Sequence, residues 1–422
     1  MDQTLLRAPW LQAIARAFSG NAVYAVGGAV RNALMGIPVS DVDLCGKQRP
    51  EEVQKQCEGT EITVRLRAAH FGTVELHVDG HMAEYTTFRR DSYRGGHQPT
   101  QVRFADTVEE DALRRDFSVN ALYTPLTEPA LVIDLVGGLL HLRQRVLHTV
   151  TSDPDRVMKD DGLRILRAAR FQAELGFTPT DAVLESARKY VNLLNGIAAE
   201  RKRDELTKIL ESDTKYPSLK RDVPPVSAGL ATLVRVGAWE KLFGTLSPEG
   251  IAALNNAQTL NAGGKLALLY RQETPDVLFI AMTALRFSKR ATADAAEALA
   301  VFHTLTHQRG EAADALRFGL PALYTAIDML KAVDSDTAAL PRAEALLQKV
   351  QQNRLPRSLK ELAVGGEDLL KLSAELNLPR ERIGAVLTSL WRAVVNGRLA
   401  NERDALLEQA RRDFVDSQNS EC

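Results

Sequence analysis

Cysteine and long apolar runs are both scarce in this sequence of 422 residues. The three cysteines, Cys45, Cys57 and Cys422, are an odd number without CxxC spacing, which indicates neither a disulfide framework nor a zinc site. The longest uncharged apolar run, residues 277–285, is far too short to span a bilayer. The sequence therefore predicts no membrane segment and no structural zinc.

The pattern of the N-terminal residues also predicts no signal peptide. Trp10, Leu11, Ile14 and Phe18 recur at helical spacing, with arginines between them, which favours an amphipathic helix. We therefore expect a cytoplasmic protein. The sequence indicates nothing about its oligomeric state.

The sequence also has no large excess of positive or negative charge. Lys and Arg number 53, Asp and Glu number 54, and the formal net charge is −1. This balance excludes a protein that binds polyanions indiscriminately, because such binding needs a broadly positive surface. Any contact with nucleic acid must therefore come from a local basic patch.

Aromatic residues make up only 6% of the chain. The sequence pattern changes from strand-like to helical near residue 150. Short β-type runs (22–26, 61–66, 73–78, 83–88, 101–104 and 131–135) precede helical patterns at 156–175, 181–194 and 199–210. Segregated strands and helices predict an α+β protein: a head with a small mixed β-sheet, then all-α modules. Breaks in the pattern divide it into a head (1–150), a neck (151–215), a body (216–340) and a tail (341–422).

The run from Tyr24 leads from a strand directly into Gly27-Gly28 and a short helical segment that carries Arg31. Paired glycines allow the backbone to approach a phosphate, and a helix N-terminus directs free N–H groups at it. Gly27, Gly28 and Arg31 are therefore candidate ligands of a substrate phosphate. A bare glycine pair more often marks a turn, so the interpretation depends on the residues that follow.

Two carboxylates, Asp41 and Asp43, follow at alternate positions of a strand-like run and so share one face. At about 4 Å their charges would repel by roughly 4 kcal/mol at an effective dielectric of about 20, which a bound cation would relieve. Oxygen ligands beside phosphates favour Mg²⁺. Glu84, in the run 82–88, is the candidate third catalytic carboxylate of a two-metal mechanism.

Two further segments place charged residues beside apolar runs. Residues 113–122 form the first segment. Residues 159–177 form the second and predict a helix with acidic residues at its start and arginines at every third position after them. Alone, such a helix is more often a salt-bridged surface helix. Their candidate substrate-binding residues are Arg115, Asp116, Asn120, Asp161, Arg164, Arg167 and Arg170.

Taken together, these segments resemble the class II tRNA nucleotidyltransferase and bacterial poly(A) polymerase family, and the resemblance covers nearly the whole chain. It implies metal ligands at Asp41 and Asp43, and nucleotide-binding residues at Gly28, Arg31, Arg115, Asp161, Arg164, Arg167 and Arg170. Three positions depart from the family pattern. Asn32 stands where the family usually has an acid after Arg31. Gly162 replaces the proline of a Glu-Asp-Pro opening, and His141 replaces an acid after the second double glycine.

The resemblance implies addition of CCA to the acceptor end of tRNA from CTP and ATP. Asp161 and Arg164 lie on one face of the predicted helix. Cytosine and adenine each offer an amino donor beside a ring-nitrogen acceptor, which this pair matches, whereas uracil and guanine mismatch both contacts. We therefore predict that the pair selects C and A in place of a template.

Other activities remain open at this level. They are addition of CC alone or of A alone, poly(A) synthesis, and RNA binding without catalysis. The polar segment 89–103, with Gly95-Gly96 and Pro99, predicts a mobile loop. Family members restricted to CC lack a corresponding loop element, whereas Tyr93, Pro99 and Val102 are present here. We therefore expect complete CCA addition.

Overall fold

The computed structural model describes residues 7–18, 20–92, 101–307, 311–333, 338–352, 354–376 and 380–419. The chain divides into two compact units, Met1–Pro248 and Glu249–Cys422. None of the helices in the described ranges is long and apolar enough to cross a membrane.

In the described part of the first unit, seven strands form one mixed sheet in the order β3-β4-β5-β2-β1-β8-β9. Only β2 and β5 pair in parallel, and the other neighbours are antiparallel. Two small sheets pair β6 with β7 and β10 with β11. The strands are β1 (Val23–Val26), β2 (Asp43–Gly46), β3 (Thr63–Ala68), β4 (Thr73–Val78), β5 (His81–Thr87), β6 (Arg89–Ser92), β7 (Gln101–Phe104), β8 (Leu122–Pro125), β9 (Ile133–Asp134), β10 (Val146–Leu147) and β11 (Thr178–Pro179).

The helices of the first unit fall into two sets. Those around the sheet are α1 (Pro9–Ala17), α2 (Gly28–Met35), α3 (Pro50–Cys57), α4 (Val108–Ala112) and α5 (Gly138–Gln144). Those that follow are α6 (Pro154–Asp160), α7 (Leu163–Leu175), α8 (Asp181–Lys189), α9 (Ala199–Leu210), α10 (Ser212–Lys215), α11 (Pro225–Arg235) and α12 (Trp239–Phe243). Short 3₁₀ helices cover Ala69–Phe71, Ser118–Asn120 and Val191–Gly196.

The sheet buries apolar side chains in two clusters. Helix α1 contributes Leu11 and Ile14 to the larger cluster, as the helical spacing of these residues predicts. The second cluster includes Val26, Cys45 and Tyr123. Strands β1, β2 and β8 contribute buried side chains to these clusters. Because buried side chains are closely packed, they hold in place the strand ends, whose loops carry the candidate site residues.

The second unit is helical throughout its described part. Within it, α15 packs against α13, α14 and α17, and α20 packs against α21. Two 3₁₀ helices cover Leu359–Glu361 and Arg380–Arg382, and another, Pro248–Asn256, begins at the boundary between the units. The α-helices are α13 (Ala262–Leu269), α14 (Pro275–Ala284), α15 (Lys289–Thr306), α16 (Ala312–Leu316), α17 (Leu320–Ala332), α18 (Ala339–Gln351), α19 (Gly366–Glu375), α20 (Ile383–Val395) and α21 (Arg403–Asn419).

The predicted α+β class, with a mixed-sheet head and a helical remainder, is confirmed. The single helix predicted over 156–175 is wrong, because the chain is interrupted between α6 and α7 at Asp161 and Gly162. The ends of the predicted loop 89–103 instead pair as β6 and β7, while its residues 93–100, with Tyr93 and Pro99, lie outside the described residues. The division into four domains stays a prediction.

Candidate active site

A cleft of about 430 Å³ lies in the first unit and contains most of the predicted site residues. Among the described residues that line it, nine are Arg or Lys and five are Asp or Glu, so the cleft is locally basic in a chain of net charge −1. Glu84 does not line it. The predicted residues that do are Gly27, Gly28, Arg31, Asp41, Asp43, Arg115, Asp116, Asn120, Asp161, Arg164, Arg167 and Arg170.

The glycine pair joins β1 to α2. Gly27 precedes the helix with φ +70°, a left-handed conformation that favours glycine, and its N–H donates to the carbonyl of Leu122 at 3.2 Å. A Cβ on Gly28 would lie 3.6 Å from Nη2 of Arg31. Helix α2 therefore starts at the cleft, with an Arg one turn along, as the sequence predicts.

Arg31 is 6% exposed and is held by side-chain oxygens rather than by a carboxylate. Its Nη1 donates to Oδ1 of Asn120, and its Nε and Nη2 donate to Oδ1 of Asn32 at 3.1 and 2.9 Å. Burial lowers the pKa of the guanidinium to about 10. Arg31 is therefore still cationic near neutral pH, and its charge is available to an anion.

Asp43 begins β2, whereas Asp41 lies two residues before the strand rather than on it. Both line the cleft. Partial desolvation raises the pKa of the Asp43 carboxyl, Arg115 opposes this, and the charge of Asp41 adds to the rise. Glu84 is the register partner of Asp43 on β5, and its pKa is raised by burial and then by Asp43. A cation here would relieve this repulsion.

The described residues nonetheless contain no group of three or more His, Cys, Asp or Glu side chains arranged to hold a metal ion. Asp41 and Asp43 both present carboxylate oxygens at one cleft, an arrangement that would suit a hard cation that completes its coordination with substrate oxygens and water. The place of Glu84 in the catalytic set stays a prediction.

A buried carboxylate that the sequence analysis missed orients two arginines. Asp111 is fully buried and accepts from Arg114 Nε at 2.7 Å, from Arg115 Nη2 at 2.9 Å and from Tyr123 Oη at 2.9 Å. Although burial opposes ionisation, Arg115 and Arg114 hold the pKa of this carboxyl well below its usual range. The available signal was the spacing of Arg114 and Arg115, three and four residues after Asp111, although both arginines lie beyond the end of α4.

Asp116 connects the head to α7. Its Oδ1 accepts from the N–H of Phe117 at 2.7 Å and from Asn120 Nδ2 at 3.1 Å, and its Oδ2 accepts from Arg167 Nε at 2.6 Å. Burial opposes ionisation, but Arg167 and Asn120 hold the pKa of the carboxyl well below its usual range. These charge-assisted contacts place Arg167 at the cleft.

The two residues predicted to select the base do not lie within one helix, because Asp161 follows the end of α6 and Arg164 lies in the first turn of α7. Asp161 is extended (φ −144°, ψ 107°), and its Oδ1 accepts from the N–H of Leu163 at 3.0 Å. Arg164 donates to the carbonyls of Val157 at 2.9 Å and Arg114 at 2.6 Å. Both side chains still line the cleft, although their placement comes from the interruption rather than from helical spacing.

Gly162, which follows Asp161 at this interruption, has no room for a side chain. A Cβ at this position would lie 2.7 Å from Cβ of Leu193, closer than real side chains approach. The departure from the family's proline therefore accompanies close packing against the 3₁₀ helix Val191–Gly196. This packing could not be read from the local sequence.

The far wall of the cleft holds an ion-pair network around Arg170. Its Nε lies 3.2 Å from Oε2 of Glu205 and 3.8 Å from Oε2 of Glu174, whose Oε1 pairs with Lys215 Nζ at 2.7 Å. Burial, and then Arg167, lowers the pKa of the Arg170 guanidinium. Arg170, one of the candidate substrate-binding residues, thus lines the cleft.

Residues that the sequence did not assign to the site also line the cleft, among them Arg201, Lys215 and Tyr216. Arg201 lies 3.4 Å from Asp161, while Lys215 and Tyr216 come from the end of α10. The break in the sequence pattern predicts a domain boundary at residue 216. No local pattern connects this position with α2, and only the fold brings them together.

Three family models match the chain. Residues 23–148 match the "Poly A polymerase head domain", residues 176–221 the "Probable RNA and SrmB-binding site of polymerase A", and residues 266–410 "tRNA nucleotidyltransferase domain 2". A CCA-adding enzyme of Lactiplantibacillus plantarum is 31% identical over 415 residues, which are 95% of this chain and 94% of that protein. The chain belongs to the CCA-adding enzyme family.

Other relatives agree with this membership. The CCA-adding enzyme of Bacillus subtilis is 29% identical over 97% of this chain and 98% of its own length. The Bacillus stearothermophilus CCA-adding enzyme solved with CTP has a TM-score of 0.76 at 24% identity and covers 98% of this chain and 100% of that one. The Thermotoga maritima CCA-adding enzyme solved with tRNA has a TM-score of 0.67 at 19% identity, covering 98% of each chain.

These solved structures share the fold of this CCA-adding enzyme family member. The relative that is 31% identical over 95% of this chain confirms the predicted family, and the protein is a tRNA nucleotidyltransferase. Nucleotidyltransferases of this family generally use divalent metal ions.

Proposed function

We propose that this protein adds CCA to the 3′ end of tRNA from CTP and ATP, with Mg²⁺ and without a template. The observation that carries the proposal is a single basic cleft containing two adjacent carboxylates, a helix N-terminus preceded by Gly27, and the Asp161–Arg164 pair. Its excess of cationic side chains suits a triphosphate and an RNA end.

The phosphate-binding part of the proposal assigns Gly27, Gly28, Arg31 and Arg115 to the triphosphate. The start of α2 offers N–H groups, and Arg31 stays charged despite its burial because its pKa is about 10. Asp111 holds Arg115 in place. Asp116 and Asn120 act less directly, since they position Arg167 and Arg31.

The reaction forms a bond from the RNA 3′ oxygen to the α-phosphorus and breaks the bond to the bridging oxygen, so that pyrophosphate leaves and the hydroxyl proton is lost to water. Asp41 and Asp43 would hold Mg²⁺, and Glu84 beside Asp43 would complete the catalytic carboxylates. Bound metal would supply charge stabilisation at the attacking and leaving oxygens. The pKa of the Asp43 carboxyl is raised by burial and by Asp41, and a bound cation would stabilise its ionised form.

Base selection is assigned to Asp161 and Arg164, with Arg167 and Arg170 behind them. The carboxylate of Asp161 would accept from the amino group of C or A, and Arg164 would donate to the ring nitrogen. Arg164 is anchored by two backbone carbonyls, so its guanidinium is held in one orientation. A rigid donor–acceptor pair penalises uracil and guanine, which would leave both groups unpaired.

The test is incubation of the protein with tRNA lacking its 3′ CCA, Mg²⁺, and CTP and ATP together or singly, followed by sequencing of the product ends. We expect CCA with both nucleotides and CC with CTP alone. Product that ends at CC in the presence of ATP identifies a CC-adding enzyme. Addition only to tRNA ending in CC identifies an A-adding enzyme, and long A tails identify a poly(A) polymerase. No product identifies an RNA-binding protein without catalysis.

The setting of the activity follows from its substrate. Because the proposed substrate is tRNA, we place the enzyme in the cytoplasm.

We also propose a division into four domains. Catalysis is assigned to 1–150 and base recognition to 151–215. The body and tail are assigned to binding the tRNA acceptor end by its shape and backbone.

A further inference from the structure

The side-chain amide of Asn32 has a defined orientation. Its Oδ1 faces the Nε and Nη2 of Arg31, and a guanidinium can only donate, so the oxygen must lie on that side. The Nδ2 therefore points away and donates to Oη of Tyr216 and to the carbonyl of Pro38, each at 3.0 Å. The amide cannot be reversed without setting donor against donor.

This orientation makes the Tyr216 oxygen the acceptor in its bond with Asn32. The hydroxyl hydrogen is left for a different acceptor, and the hydrogen bonds found among the described residues provide none for it. Tyr216 is 7% exposed and lines the cleft. A nearly buried O–H donor at a substrate cleft is costly unless a ligand accepts its hydrogen.

The surroundings of Tyr216 indicate which ligand atom that is. Lys215 Nζ lies 5.5 Å from the Tyr216 ring centre, and the guanidinium groups of Arg31 and Arg170 both lie over the Phe171 ring in the same cleft, where cationic side chains outnumber carboxylates. Their charges favour an anionic oxygen over an ether or hydroxyl oxygen. Hydroxyl donors and cations that converge in this way suit a phosphate group.

We propose that the Tyr216 hydroxyl donates a hydrogen bond to a phosphate oxygen of the bound nucleoside triphosphate, and that Asn32 sets the direction of this donor. The proposal rests on the proposed function and adds a substrate-binding residue to it. An Asp at position 32 would accept the hydroxyl hydrogen and turn the donor away from the ligand. The amide of Asn32 therefore gives Tyr216 its role as a donor.

The test measures CTP and pyrophosphate affinity by calorimetry with Mg²⁺ present, for the wild type and for Tyr216→Phe. We expect Tyr216→Phe to weaken both ligands about tenfold or more, since it removes one hydrogen bond to a charged group. Tyr324→Phe, at an exposed tyrosine of the second unit, is the matched control and should bind as the wild type does. Unchanged affinity for Tyr216→Phe, with an unchanged melting temperature, overturns the proposal, and weakening of CTP without pyrophosphate overturns the phosphate assignment.

A second arm separates this role from a merely structural one. In an Asn32→Asp background the hydroxyl hydrogen is already directed at residue 32, so adding Tyr216→Phe should weaken ligand binding by less than about twofold. An equal effect of Tyr216→Phe in both backgrounds overturns the role of Asn32. The proposed function is judged separately, by incorporation into tRNA with the wild-type protein.

Discussion

Oδ2 of Asp116 lies 2.6 Å from Nε of Arg167, and this contact joins the segment 113–122 of the head to helix α7. The two residues are 51 positions apart. The same carboxylate also accepts from Asn120, which in turn binds Arg31. One buried carboxylate thus positions cationic side chains from two parts of the cleft.

The first prediction concerns this contact. Asp116→Asn removes the charge that holds Arg167 and Asn120, so both side chains should lose their fixed positions. We expect kcat/KM for CTP and ATP to fall about tenfold to a hundredfold, with the ratio between the two nucleotides unchanged. Steady-state kinetics measures this, with the exposed Asp106→Asn as control. Loss of CTP use alone would contradict the role described here.

The second prediction concerns the carboxylates that we propose hold the metal. Asp43→Asn should lower nucleotide incorporation by a factor of about a thousand or more while tRNA binding persists, because the amide cannot hold a cation as a carboxylate does. Incorporation and filter binding are measured side by side. Asp79→Asn, in the turn between β4 and β5, is the matched control and should keep full activity. Wild-type turnover in Asp43→Asn would refute the metal assignment.

The third prediction concerns base choice. Exchanging the pair, Asp161→Arg with Arg164→Asp, reverses donor and acceptor at the base edge. We expect the preference to move toward UTP and GTP, with a much lower rate because Arg164 loses its two carbonyl anchors. Competition among the four nucleotides measures it. A double variant that still prefers CTP and ATP would show that these side chains do not select the base.

The fourth prediction concerns the stability contributed by Asp111. Its pKa is depressed in the folded state, so its stabilisation is complete above the unfolded pKa of about 3.9 and is lost as pH falls toward the folded value. Asp111→Asn should lower the free energy of unfolding by about 3 kcal/mol near pH 7. The deficit relative to wild type should shrink below about pH 4.

Denaturant unfolding at several pH values measures this deficit, with Asp106→Asn as the control at an exposed site. A deficit that stays constant from neutral pH down to about pH 2.5 would mean that the ionised carboxylate is not its source.

The sequence by itself determined the parts of the site that depend on neighbours along the chain. Gly27-Gly28 follows a strand and starts a helix, and Asp41 and Asp43 are two residues apart, so their meeting at one cleft needs only local geometry. The α+β class also follows from local periodicity, because alternation and helical spacing are both short-range patterns. The same holds for α1 and its buried Leu11.

Only the tertiary structure decided the contacts between distant segments. Next to the extended Asp161, Gly162 packs closely against Leu193, a steric contact that helical spacing cannot express. Tyr216 meets Asn32 across 184 positions, and no period in the sequence links them. Such contacts depend on how strands and helices pack as units, so their positions are set by the shape of the core rather than by the residues on either side.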